Sequence, residues 1–180
     1  MLGVMTAADV LKTCADEAKL PFLVIGGFAV IAHGYQRTTQ DLDILVRRTD
    51  AEAWTHFLKQ TGYDLLRSQQ TFSQYESPRG GIDLDVMYVN DQTFDGMFAA
   101  SSPTEFQGVP VRVPSLEHVM ALKLHVSKQE LRHRRLYDWD DIVNLVLHNK
   151  IDLREPRWRA VFEKYGTLDL YEKVRRATEP

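Results

Sequence analysis

Residues 26–46, GGFAVIAHGYQRTTQDLDILV, decide how the chain is read. They follow Phe22-Leu23-Val24-Ile25, an apolar, partly β-branched run that reads as a buried strand. Gly26-Gly27 breaks that run. Phe28 to His33 then has helical spacing, and Gly34 suits the position after a helix end. Leu42 to Val46 reads as the next strand. A strand, a glycine turn, a helix and a second strand imply a sheet with helices packed on it.

The chemistry lies at the two junctions. Glycines after a strand let a phosphate approach backbone N–H groups, although many such turns use glycine for sterics alone. In Asp41-Leu42-Asp43 the carboxylates are two residues apart, so in a strand both project from one face while Leu42 enters the core. Like charges so placed repel unless a cation sits between them. Mg2+ or Mn2+ suits carboxylates together with phosphates. The plainer reading is a strand end with solvated carboxylates. Ile82-Asp83-Leu84-Asp85-Val86 repeats the pattern. Two acidic strands in one sheet would bring three or four carboxylates to one mouth, as a two-metal site for phosphoryl or nucleotidyl transfer requires.

Outward from this stretch, Thr6 to Asp9 looks like a capped helix start, with Val10, Leu11, Cys14 and Ala18 at helical spacing up to Pro21. Thr49-Asp50-Ala51-Glu52 reads as a capping box opening a helix to about Gln60. Tyr63 to Leu66 and Phe72 to Tyr75 are weaker strands, and Ile82 to Val89 is a strong one. Residues 90–103 read as loop or short helix. Glu105 to Val113 reads as a hairpin turning at Gln107-Gly108, without the usual Asn-Gly signal. From Ser115 the pattern is helical, with helices ending near Val126, from Tyr137 to His148, from Pro156 to Tyr165 and from Leu168 to Ala177. The expectation is an α/β (α+β) fold. A mixed β-sheet flanked by helices fills residues 1–113, and a helical C-terminal part, 114–180, packs on it.

Composition excludes several classes. The chain has 180 residues, 44% of them hydrophobic and 26% charged, which suits a globular domain. One cysteine, Cys14, excludes an internal disulfide framework and a cysteine zinc site. No apolar run approaches a membrane span, and the N-terminus lacks the pattern of a signal peptide, so a cytoplasmic protein without membrane partners is expected. Net charge is -3, but residues 1–120 carry 9 basic and 15 acidic side chains and residues 121–180 carry 13 and 10. Metal-held phosphates in the front and polyanion contacts behind would suit this split, as would ordinary surface variability. The histidines lack metal-site spacing, and neither a P-loop nor a G-x-S-x-G motif is present. His33, at the end of the Gly-Gly helix, reads as structural.

The ordered run Gly-Gly, short helix, Arg37-x-Thr39-x-Asp41-x-Asp43, apolar strand resembles the nucleotidyltransferase fold of DNA polymerase β-like enzymes. Thirteen residues separate Gly27 from Asp41, long for that pattern. Val111-Arg112-Val113, Ser115-Leu116-Glu117, Ala121-Leu122-Lys123 and Asp138-Trp139-Asp140-Asp141-Ile142 resemble small bacterial members, including toxins of type IV toxin–antitoxin systems. The likeness covers roughly residues 20–147. It implies a metal-dependent nucleotidyltransferase moving an NMP from an NTP to an acceptor hydroxyl, with release of pyrophosphate. The acceptor would be tRNA, a protein or a small molecule, with the toxin-like resemblance favouring RNA or protein, and an antitoxin is an implied partner. Gly26 and Gly27 would cradle the triphosphate. Asp41, Asp43 and Asp85 would bind Mg2+ or Mn2+, with Asp85 nearest the acceptor. Asp85 is preferred to Asp83 because Val86 to Val89 follows it as Ile44 to Val46 follows Asp43. Arg37 and Lys123 would contact phosphate, or Arg37 would pair with Asp41. Asp138 and Asp141 read either as solvated helix carboxylates or as a hold on Lys123 or the basic loop.

The chain departs from the pattern in having Gly-Gly rather than Gly-Ser, and Tyr137 where a basic residue is usual. Lys128, Arg132, Arg134 and Arg135 form a basic group, read as solvated surface or as an acceptor-binding rim. The contrasting expectation is a non-catalytic nucleotide- or partner-binding module.

Overall fold

A computed structural model describes residues 5–127 and 135–179. Lys128, Arg132 and Arg134, with the side chains of Arg135 and Tyr137, lie outside what is described. The chain divides into two compact units, Met1–Ala29 with Thr38–Ser115, and Val30–Arg37 with Leu116–Pro180.

The first unit is built on a five-stranded mixed sheet. Its strands are β1 (Leu23–Val24), β2 (Leu42–Arg47), β3 (Asp64–Ser68), β4 (Phe72–Glu76) and β5 (Leu84–Val89), in the order β1-β2-β5-β4-β3. Only β2 and β5 run parallel. Leu42, Ile44 and Val46 alternate with Asp43 and Arg47, and Leu84, Val86 and Tyr88 are buried beside them. Helix α3 (Ala51–Gln60) covers this apolar face with Trp54 and Leu58, and its Thr55 hydroxyl lies 2.9 Å from that of Tyr75. The other face carries Asp43 and Asp85. Its far end is closed by α4 (Asp91–Ala99), where Arg47 bonds Asp95 and lies over the Phe94 ring.

The remaining pieces follow local chemistry. Thr6 and Asp9 cap each other at the start of α1 (Ala7–Thr13), as expected, and a wider π-type turn, Cys14–Ala18, follows. The hairpin of β6 (Ser102–Phe106) and β7 (Val109–Val113) does turn at Gln107-Gly108, both at positive φ. Residues 91–99 are helical because Asn90 accepts the Thr93 N–H as an N-cap.

Two readings are corrected. The box at Thr49 does not form: Arg48–Asp50 is a 3-10 turn, Asp50 takes the cap position without a side-chain bond, and the Thr49 hydroxyl donates to Asp91 instead. The strong strand starts at Leu84 rather than Ile82, because Asp83 is turned to accept the Ser77 N–H at 2.8 Å.

In the second unit, α5 (Leu116–Ser127), α6 (Arg135–His148), α7 (Pro156–Tyr165) and α8 (Leu168–Thr178) bury Met120, Leu124, Ile142, Leu145, Phe162 and Val174 together. Gly166 allows close packing, since a β-carbon there would lie 3.1 Å from Leu124 Cδ2. Residues 30–37 join this unit through Asn149, which donates to the His33 carbonyl at 2.9 Å. Helix α2 (Gly26–Ala32) thus begins in one unit and ends in the other. Among the described residues, no helix is long and apolar enough to cross a membrane.

Candidate active site

Asp43 and Asp85 stand opposite each other in the parallel β2–β5 ladder. Residues opposed in a ladder share a face, with backbones about 4.8 Å apart. Burial of Leu42, Ile44, Leu84 and Val86 on the reverse face pins this register, since a slip of one residue would turn the leucines outward. Asp85 is 3% exposed. Two carboxylates so placed repel, which is costly unless a positive group serves both.

Gly26 lies against the first of them. Its φ is +59°, and a β-carbon built there would fall 1.9 Å from Asp43 Oδ2. Only glycine meets both demands. The backbone is tied at the same place, where the Ile25 N–H donates to the Asp43 carbonyl at 2.9 Å. Gly27 continues the first turn of α2. Asp41 sits on a bend one residue ahead of β2 and is exposed. The strand alternation that aims Asp43 therefore does not govern Asp41.

Arg37 and Lys123 belong to the second unit, where they meet around Asp141. That carboxylate has no exposed side-chain surface. Lys123 Nζ lies 2.7 Å from it and 3.1 Å from Asp138, and Arg37 Nε lies 2.8 Å from it. The Tyr35 hydroxyl donates to the adjacent Asp140 at 3.0 Å, which raises the Tyr35 pKa. Of the two readings of Asp138 and Asp141, the hold on Lys123 is the one observed.

The residues fit a hard divalent cation in part. Asp43 and Asp85 supply oxygen donors at ladder spacing, the kind Mg2+ and Mn2+ take together with phosphate oxygens. Among the described residues no group of three histidine, cysteine or acidic side chains is gathered for a metal. Gln74 of β4, opposite Asp85 on its other side, was not singled out in the sequence. A weak strand such as Phe72 to Tyr75 carries no record of its pairing partner.

A mixed five-stranded sheet flanked by helices is the architecture of the nucleotidyltransferase fold. The comparisons agree. The chain matches the model of the family described as uncharacterised nucleotidyltransferase over residues 4–178, and it belongs to that family. No curated protein matches it in sequence. A solution structure of the antibiotic-resistance factor ANT(2'')-Ia has a TM-score of 0.57 at 17% identity, over 96% of this chain and 92% of that one. The lincomycin-bound lincosamide antibiotic adenylyltransferase LnuA has 0.53 at 20% identity, over 78% and 96%. An antigenic nucleotidyltransferase-like protein from Paracoccidioides brasiliensis has 0.52 at 18% identity, over 76% and 72%. At these identities the likeness is one of fold.

Proposed function

We propose that the protein transfers a nucleoside monophosphate from an NTP to a hydroxyl of a small hydroxylated molecule. The observation that carries this is the pairing of Asp43 with Asp85 on one sheet face, with Gly26 packed on Asp43. Membership of the family supports the reaction class. The small acceptor is supported by the nearly full-length likeness to ANT(2'')-Ia, one of whose structures holds adenylyl-2''-tobramycin, and by the likeness to LnuA.

The acceptor oxygen bonds to the α-phosphorus as the bond from that phosphorus to the β-bridging oxygen breaks, and pyrophosphate leaves. Asp85 takes the hydroxyl proton and passes it to solvent. Gly26 and Gly27 let the triphosphate lie close to the backbone beside Asp43. Asp43 and Asp85, with Asp41 from the bend, would hold Mg2+ or Mn2+, which neutralises phosphate charge when bound. Lys123 and Arg37 are the basic groups the family resemblance assigns to phosphate.

The test is label transfer. The protein is incubated with Mg2+, each α-labelled NTP in turn and a cell extract, beside Asp43→Ala. Label in the small-molecule fraction that the variant loses supports the reading. Label in tRNA or protein keeps the reaction and replaces the acceptor, with an antitoxin partner then worth seeking. No transfer and no pyrophosphate with any NTP makes the chain a binding module.

A further inference from the structure

The two acidic strands occupy the middle of the sheet, and the row they begin continues past them. Gln74 of β4 pairs with Asp85, and Arg67 of β3 pairs with Gln74. Opposed residues share a face, so Asp43, Asp85, Gln74 and Arg67 form one line across four strands. The side-chain chemistry confirms the register. Ser68 and Ser73, the next pair along, are 3.1 Å apart through their hydroxyls on the reverse face. Tyr75, also reversed, is fully buried, while Gln74 is partly exposed and Arg67 is exposed. A bulge between Leu65 and Arg67 corrects the edge strand, returning Arg67 to the row.

The order of this line has a chemical direction. Gly26 touches Asp43 from the β1 side, so the triphosphate, and with it the departing pyrophosphate, belongs to that end. In phosphoryl and nucleotidyl transfer the entering and leaving oxygens lie roughly in line on opposite sides of phosphorus. The acceptor must therefore enter from beyond Asp85, over β4 and β3. The first side chain it meets there is Gln74, one strand or about 5 Å from Asp85 in the ladder, and the next is Arg67, about 10 Å away.

Resting on the nucleotidyl-transfer reading, we infer that the β4–β3 end of this face is the acceptor subsite, with Gln74 and Arg67 as its specificity-determining residues. Gln74 both donates and accepts hydrogen bonds, which suits a hydroxyl neighbouring the one that reacts. Arg67 only donates, which suits an oxygen-rich outer end of the acceptor, a hydroxyl or an anionic group. Neither touches the phosphate that is transferred.

The experiment separates acceptor binding from NTP binding. Wild type, Gln74→Ala, Gln74→Asn, Arg67→Ala and Asp43→Asn are assayed with Mg2+ and labelled NTP against dilutions of the small-molecule fraction of a cell extract. Gln74→Ala should raise the half-saturating amount of extract about tenfold, and Arg67→Ala by roughly three- to tenfold, while half-saturating NTP stays within about twofold. Gln74→Asn, keeping the amide, should recover part of the loss. Circular dichroism of each variant confirms folding. If both alanine variants saturate with extract as wild type does, while Asp43→Asn is inactive, the subsite is overturned and nucleotidyl transfer stands. If half-saturating NTP rises as much as the extract requirement, the subsite is overturned as well. If the wild type transfers nothing, the nucleotidyl-transfer reading falls and takes this inference with it.

Discussion

Gly26 stands so close to Asp43 that no side chain fits between them: a β-carbon on the glycine would overlap the carboxylate at 1.9 Å. Gly26→Ala therefore has two effects. The left-handed backbone adds strain of about 1–2 kcal/mol. The added methyl pushes the Asp43 carboxylate out of its row, and a displacement of that order lowers transfer by about 10²-fold. Urea denaturation measures the first effect and label transfer the second. An alanine variant with wild-type turnover would show that the position of Asp43 is immaterial.

Asp43→Asn and Asp85→Asn remove one charge from a facing pair. Each should lower transfer by at least about 10²-fold. Mg2+ or Mn2+ should raise the melting temperature of the wild type and not of the variants. At a hundred times its dissociation constant, a bound ion stabilises by about 2.7 kcal/mol. Thermal melts with and without EDTA test this without an acceptor. Equal shifts in wild type and variants would remove the metal from this pair.

Asp141 carries a charge with no exposed side-chain surface, between Lys123 and Arg37. Asp141→Ala leaves both cations without their shared partner and should destabilise by about 3–5 kcal/mol. The exposed pair of Lys173 with Asp169 is the control. Lys173→Ala should change stability by less than about 1 kcal/mol. Urea midpoints for the two variants give the contrast.

Stability should fall at alkaline pH. Burial pushes the Cys14 thiol up to about 12 from 9.0, and burial also raises the Tyr63 and Tyr75 phenols to about 12 from 10.0. The folded chain keeps these protons after the unfolded chain has released them. Their contribution is complete below about pH 9 and is lost progressively toward about pH 12. Urea midpoints taken from neutral pH upward should decline above about pH 9, less steeply in Cys14→Ala than in wild type. The neutral thiol should also resist alkylation in the native state.

The parts of the fold that were legible are those where local chemistry and burial agree. Asp43 and Asp85 each sit in an apolar run whose alternation forces a strand, and Gly26-Gly27 marks the turn. Register was not legible, because a strand does not encode its neighbour. Hence Gln74 went unremarked, and the choice between Asp83 and Asp85 rested on flanking residues. Asp83 proves to be engaged by the Ser77 N–H. The box at Thr49 misled because Asp91, distant in sequence, takes the threonine hydroxyl. Asp141 resembled its solvated neighbours for a similar reason: Arg37, which binds it, is 104 positions away.

That separation bears on how the molecule is made. A ribosome completes the paired acidic strands by Val89, yet Arg37 and Tyr35 acquire Asp141 and Asp140 only once α6 has emerged. Such late, non-local closure slows folding and leaves the intermediate open to proteases. A gene fragment ending at the last strand, β7, would encode both acidic strands without the partners of the segment that leads into them. The smallest expressible catalytic fragment must therefore extend beyond His148, although among the described residues every strand lies before residue 114.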